Sequence, residues 1–342
     1  MSLKNLNATI KIPKLLKKNL NNFRIKKIYN SFEKSFTIKE NFAVAVSGGS
    51  DSLALAFLAK IYSLKYKIVS KFFIVDHRLR SESTKEALSI KNLLKKNSIN
   101  AEILTWYGKK PKKNIQSIAR HKRYDLLVKR CQKLKINNII IGHHQDDLLE
   151  NFFIRIFRGS GLKGLISLKS KNRVSNINIL RPLLYQKKED LVFLSKKVFD
   201  FYIKDPSNKD EKFLRIKIRK LMKEFEKSGI DKSKFISTIK NLKHSNSVVD
   251  FYMMKNLSEN RFFSKRENKI VLNNNFFNQP HEIIFRSFSD SIKIIGKRYY
   301  SVRGKKLDSV INKIKDHTFF KGTLGGCIIE KVNQSVIITK EH

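Results

Sequence analysis

Five apolar residues, Phe42-Ala43-Val44-Ala45-Val46, run straight into Ser47-Gly48-Gly49-Ser50-Asp51-Ser52, and these into Leu53-Ala54-Leu55-Ala56-Phe57-Leu58-Ala59. No other stretch constrains the fold as much. The first run has strand composition, the last is a strong helix former, and the glycine pair is the sharp turn between them. A strand, a turn and a helix start leave several backbone N–H groups around one concavity. The helix dipole adds positive potential there, so a polyphosphate is the fitting guest. Ser47, Ser50 and Ser52 offer hydroxyl donors, Gly48 and Gly49 allow close approach, and Asp51 can hold a magnesium ion against the phosphates. A Ser/Gly turn with an aspartate helix cap is the plainer reading of the same residues. No Gly-Lys-Ser/Thr follows, so this is not a Walker loop.

From about 37 to 225 the chain alternates strand-like and helix-like runs, as a parallel sheet covered on both faces requires. Strands are expected at 42–46, 72–75, 101–106, 138–141 and 177–180, with helices near 85–96, 114–135 and 146–157. The stretch 158–173, with five positive charges, no acid and three glycines, reads as a loop open to RNA contact or disorder. In such sheets ligands bind beyond the carboxyl ends of the strands, where 47–52, Asp76-His77 and His143-His144 would meet. After about 226 the pattern becomes mainly helical, at 231–257, 280–295 and 307–315, with a terminal hairpin from 326–331 and 335–340. The expected organisation is a basic extension over 1–36, an α/β domain over 37–225 with a five-stranded parallel sheet, and a smaller domain over 226–342. The extension has Glu33 as its single acid and reads as an extra basic helix able to touch RNA, with a transit peptide as the alternative.

Charge points to the partner. The chain has 72 Lys and Arg against 29 Asp and Glu, a net charge of +43, which favours a polyanion and first of all nucleic acid. No apolar run is long enough to span a membrane. Cys131 and Cys327 are the only cysteines and form no CxxC pair, which argues against zinc, an iron–sulfur cluster or a disulfide framework and fits a reducing cytosol.

The second chemical segment is His143-His144-Gln145-Asp146-Asp147-Leu148-Leu149-Glu150-Asn151. Asp147 and Glu150 are three apart and Asp146 and Glu150 four apart, so the acids share a helix face opposite Leu149, Phe153 and Ile156. Acids in a first turn also serve the helix dipole, but that does not account for two histidines and three acids within eight residues. Gln116, Arg120 and Arg123 form a basic row on the preceding helix, which by itself is a solvated face. Lys212, Arg215, Arg219 and Lys223 make a basic stripe beside the apolar stripe Leu214, Ile218, Leu221 and Phe225.

The ordered series SGGSDS, VDHRLRSES, QSIARHKRYDLL, HHQDDLLEN, FRGSGLKGL, RPLL and DPSNKDEKFLR resembles the tRNA(Ile)-lysidine synthases, a branch of the PP-loop ATP pyrophosphatases. The resemblance spans about 43 to 219, with a weaker echo in TLGGCIIE at 323–330. It departs at Arg78, where the family usually has glycine, and at Ile216, where asparagine is common. It implies a PP-loop, Rossmann-like domain that uses ATP and Mg2+ to adenylate the C2 oxygen of the wobble cytidine of an isoleucine tRNA with a CAU anticodon. Free L-lysine then displaces AMP to give lysidine. It further implies Ser47, Gly48, Gly49, Ser50, Asp51 and Ser52 as nucleotide contacts, Asp51 as the metal ligand, and Arg120, His144, Asp147 and Glu150 as catalytic contacts. On this reading Asp147 and Glu150 hold the lysine ammonium, and one of them or His144 takes its proton. A cytoplasmic enzyme follows. The alternatives are another PP-loop enzyme such as a tRNA cytidine thiolase, or an RNA-binding protein without catalysis.

Overall fold

The structure, a computed structural model, describes residues 18–108, 111, 114–203, 214–297, 302 and 304–341. It divides into two compact lobes, Met1–Ile236 and Ser237–His342. Most of the motif 205–215 and Lys212 lie outside the described residues, as does the side chain of Gln116.

The first lobe is built on a six-stranded sheet. Its strands are β1 (Phe42–Val46), β2 (Ser70–Asp76), β3 (Ala101–Thr105), β4 (Asn138–Ile140), β5 (Lys171–Val174) and β6 (Ile177–Leu180), in the spatial order β3-β2-β1-β4-β6-β5. The five expected strands are all present and mutually parallel. The sixth, β5, corrects the expectation. It begins in the stretch read as loop, which also holds the short helix α6 (Leu162–Leu165), and pairs antiparallel with β6 at the sheet edge. Its sequence Lys-Asn-Arg-Val carries almost no apolar signal because an edge strand needs little burial.

Burial follows the pleat of β1. Phe42, Val44 and Val46 pack with α1 (Phe23–Ser35), α2 (Ser50–Lys65), α3 (Ser83–Lys96) and α7 (Lys188–Phe199). Ala43 points the other way, with Leu127 and Cys131 of α4 (Ile115–Lys133). Leu53 through Ala59 on α2 are all fully buried, so this helix lies inside the lobe. The basic N-terminal stretch contributes to the core as well, through Ile25, Ile28, Tyr29 and Phe32.

Strand order fixes where a ligand can sit. The chain proceeds from β1 outward to β2 and β3, then returns to place β4 on the other side of β1. The turns after β1 and β4 therefore diverge, leaving a crevice at their carboxyl ends.

The second lobe holds most of α9 (Lys232–Asn260), then α10 (His281–Gly296) and α11 (Gly304–Lys315). The expected hairpin is there, as β10 (Cys327–Val332) and β11 (Ser335–Lys340), but it belongs to a five-stranded antiparallel sheet. The strands the sequence reading missed are Arg261–Ser264, Lys269–Leu272 and Lys321–Leu324. Each has only four residues in a Lys/Asn-rich background, too short for alternation to stand out.

Candidate active site

Ser47 to Gly49 link β1 to α2 in the crevice. Gly48 adopts φ +85°, and a Cβ there would lie 2.1 Å from Ile90 Cδ1. The conformation demands glycine at that position, and the Ile90 side chain would have to give way to any Cβ. At Gly49 a Cβ would meet nothing closer than Ser47 Oγ at 4.0 Å, so this side of the turn is open. Ser52 turns inward. Its Oγ accepts from the N–H groups of Ser47 and Gly48, each at 3.1 Å, and donates to the Gly49 carbonyl at 3.0 Å. That hydroxyl shapes the loop. The first N–H groups of α2 have no partner within the helix, and Gly49 supplies no side-chain cap. An open turn beside uncapped helix N–H groups fits a polyphosphate.

Asp51 lies in the first turn of α2. Lys188 Nζ donates to both its oxygens, at 2.6 and 2.7 Å, and to Ser50 Oγ at 3.1 Å. The sequence reading missed Lys188. The signal was Lys187-Lys188 opening a helix at the end where cations are disfavoured by the dipole. Among the described residues no three His, Cys, Asp or Glu side chains gather as a metal site. An ion at Asp51 would therefore be completed by phosphate oxygens and water, the usual habit of Mg2+, and the single carboxylate fits it.

The turn after β4 meets this loop closely. A Cβ on Gly142 would lie 3.2 Å from the Asp51 backbone, so glycine lets the two turns touch. His144 then caps α5 (Gln145–Ile156). Its Nδ1 accepts from the Asp146 N–H at 3.2 Å, and Asp147 Oδ2 accepts from the His144 N–H at 3.0 Å. With Nδ1 an acceptor, the neutral ring carries its proton on Nε2. That atom stands 3.4 Å from Asp147 Oδ2 and 3.6 Å from Asp51 Oδ2, between two carboxylates. The His144 ring thus lies between the carboxylates of the two motifs.

The two acids expected to act together have different surroundings. Burial disfavours charge on Asp147, but the His144 and His143 rings and the His144 N–H outweigh it and hold the carboxyl below the usual range. Asp147 is set to remain an anion. Glu150 is 1 % exposed and is bound by Arg219 of α8 (Leu214–Lys227), with Arg215 4.0 Å away. Burial raises its pKa against the pull of Arg219. Asp146 turns to Lys232 at 3.9 Å. The three acids of one helix face thus have three different partners.

Arg120 is exposed beside Tyr124, its guanidinium 5.3 Å from the ring centroid. Its charge reaches His143, whose pKa falls to about 4 through burial and through Arg181, Arg120 and Arg215. His143 Nδ1 accepts from Arg181 Nε at 2.8 Å. His77 also drops to about 4, by burial and by Arg123, which donates to its Nε2 at 3.3 Å. Both rings are neutral at pH 7. Arg78, the departure after Asp76-His77, sits at φ +51°. Glycine fits such a backbone without the cost other residues bear.

A family model described as a PP-loop domain matches residues 18–225. The tRNA(Ile)-lysidine synthase of Orientia tsutsugamushi (strain Boryong) is 34% identical over 90% of this chain and 71% of that protein. The enzyme of the same name from Wolbachia sp. subsp. Brugia malayi (strain TRS) is 30% identical over 93% of this chain and 74% of its own. The chain belongs to the tRNA(Ile)-lysidine synthase family. Among solved structures, the U34-tRNA thiolase NcsA from Methanococcus maripaludis, which carries a 4Fe–4S cluster, superposes with a TM-score of 0.53 at 20% identity. The match covers 65% of this chain and 79% of that one. This likeness is one of fold. The present chain has only two cysteines, both buried in the cores of different lobes, and burial pushes the Cys131 thiol up to about 12. Neither is poised for sulfur transfer.

Proposed function

We propose that this chain joins free lysine to C2 of the wobble cytidine in an isoleucine tRNA with a CAU anticodon, using ATP. The observation that carries the reading is the meeting of the SGGSDS turn and the HHQDD helix start at Gly142, in a member of the lysidine synthase family. The open turn at Gly49 and the start of α2 receive the triphosphate, and Asp51 would hold a magnesium ion, which would offset phosphate charge. The cytidine C2 oxygen attacks the α-phosphorus and pyrophosphate leaves. The lysine amine then attacks C2 and AMP departs.

Near pH 7 roughly one lysine amine in 2,500 is neutral, a cost of about 4.6 kcal/mol for an unassisted nucleophile. Asp147, held ionised, suits the ammonium-binding role. Its depressed pKa makes it a weak base. Arg120, exposed at the surface, can meet phosphate or the adenylated base. Glu150 supports the site from beneath through Arg219. The basic residues over 226–342 position tRNA through phosphates, so affinity falls steeply with salt. Among the described residues no helix is long and apolar enough to cross a membrane, and we assign the enzyme to the cytoplasm.

The test follows pyrophosphate release with and without tRNA, then digests the tRNA and looks for lysidine by mass spectrometry. Release that depends on the isoleucine tRNA, and a lysine adduct that needs added lysine, are the expected results. Release with no adduct would remove lysine from the reading.

A further inference from the structure

Lys188 is the first residue of α7, and Glu189 and Asp190 in the same turn already serve the helix dipole. Its ammonium reaches instead to Asp51 and Ser50. The backbone that carries it is anchored on two sides. Ser35 Oγ donates to the Pro182 carbonyl at 2.7 Å, Gln186 Nε2 donates to Ser31 Oγ, and Arg24 pairs with Asp190 at 2.7 Å. The Gln186 carbonyl accepts from the N–H of Gln145, the first residue of α5. Lys188 is thus held by the N-terminal helix and by the start of the helix that presents His144 and Asp147. A third of its side chain remains in solvent.

We propose that Lys188 contacts the substrate in the adenylation step. It neutralises Asp51 while the loop is without nucleotide and transfers to the triphosphate when Mg-ATP arrives. This inference rests on the loop being the ATP site. The Asp51 oxygens that meet Lys188 at 2.6 and 2.7 Å are those a magnesium ion would use, and a dication competes well against one ammonium. The displaced ammonium stays within a side chain's swing of the bound phosphates, which carry more negative charge than one magnesium offsets. Lysine suits this exchange, being a compact charge with rotatable donors on a flexible stem, where an arginine fork would favour staying on its carboxylate. During the step a bond forms from the cytidine C2 oxygen to the α-phosphorus, and the bond from that phosphorus to the bridging oxygen breaks. The electron pair leaves with pyrophosphate. Lys188 remains protonated throughout and supplies charge, as lysines do on transferring phosphates elsewhere.

Lys188→Ala, Lys188→Gln and Lys188→Arg test this in the full chain, with thermal melting to establish folding. ATP affinity is measured by calorimetry without tRNA, in excess Mg2+ and in EDTA. The Ala and Gln variants should bind ATP about 10-fold more weakly in excess Mg2+, the loss of one charge-assisted contact, with a smaller change in EDTA, where Lys188 stays on Asp51. Their half-saturating Mg2+ should fall, because Asp51 has lost its competitor. Pyrophosphate release in the presence of tRNA should drop about 100-fold in both and be partly restored by Arg. Unchanged ATP affinity in excess Mg2+, with release within about 3-fold of wild type, would reduce Lys188 to a structural ion pair. If Ala fails to fold, the Gln variant decides alone. Wild-type protein that binds ATP but releases no pyrophosphate with tRNA would overturn the proposed reaction, while the binding arms still judge Lys188.

Discussion

Asp51 and Glu150 each face a cation from a distant helix, in two neighbouring regions of the first lobe. Lys188 grips Asp51 with both side chains partly in solvent, at 33 % and 22 % exposure. Arg219 grips a Glu150 side chain only 1 % exposed, with Arg215 as a second cation nearby. At the rim a single point charge can be exchanged for an ion or a phosphate. Beneath it a buried carboxylate is held by a fork that cannot leave without stranding a charge. The same pairing of unlike charges therefore leaves an exchangeable contact in one place and a fixed one in the other. Burial decides which.

The largest effect expected from breaking this contrast is at Asp51. Asp51→Ala should lower pyrophosphate release about 1,000-fold while leaving the melting temperature and tRNA affinity nearly unchanged. Ordinary turnover in that variant would sink the assignment. The opposite pattern belongs to Arg219. Arg219→Ala should destabilise the fold by about 2 kcal/mol in denaturant titrations, less than a fully buried pair because Arg215 remains and Arg219 is partly exposed. A stability within about 0.5 kcal/mol of wild type, on the order of an exposed pair, would mean the Glu150 region is no scaffold.

Asp147→Asn sharpens the contrast through pH. Asparagine still accepts from the His144 N–H, so the loss at pH 7 should be about 1 kcal/mol, along with lysine transfer but not pyrophosphate release. The folded pKa of Asp147 is lowered, so its contribution is present above the unfolded value and disappears as pH falls through about 4 toward the folded one. The stability gap between wild type and variant should close over that range. Glu150, with a raised pKa, has the opposite sign: its ionisation costs stability as pH rises above the unfolded value. Melting temperatures of the Asp147→Asn and Glu150→Gln variants, followed from about pH 3 to 7, should therefore trend in opposite directions relative to wild type. The smallest effect is at Arg78. Arg78→Gly relieves a φ of +51° but gives up stacking 4.6 Å over Tyr107, for a net gain of about 0.5 kcal/mol by denaturant titration.

Much of this was legible in the residues. Four of the five parallel strands read as apolar because they are largely buried, while β3, at the sheet edge, is only half-buried. The SGGSDS turn and HHQDD start name their own chemistry because each is contiguous. Lys188 was not legible, since its partner is 137 residues away. The separate environments of Asp147 and Glu150 were hidden too, because helical spacing gives a common face but not what covers it. Edge strand Lys171–Val174 stayed silent for want of apolar residues.

The N-terminal helix ties to residues synthesised much later. Ser35 meets Pro182 and Arg24 meets Asp190 across 147 and 166 positions of chain. On the ribosome, residues 23–35 emerge long before α7, yet the surface they complete exists only once α7 has left the exit tunnel. Until then Ile25, Ile28 and Phe32 lack their final neighbours. Such long-range closure is slow and leaves apolar surface exposed until it is complete.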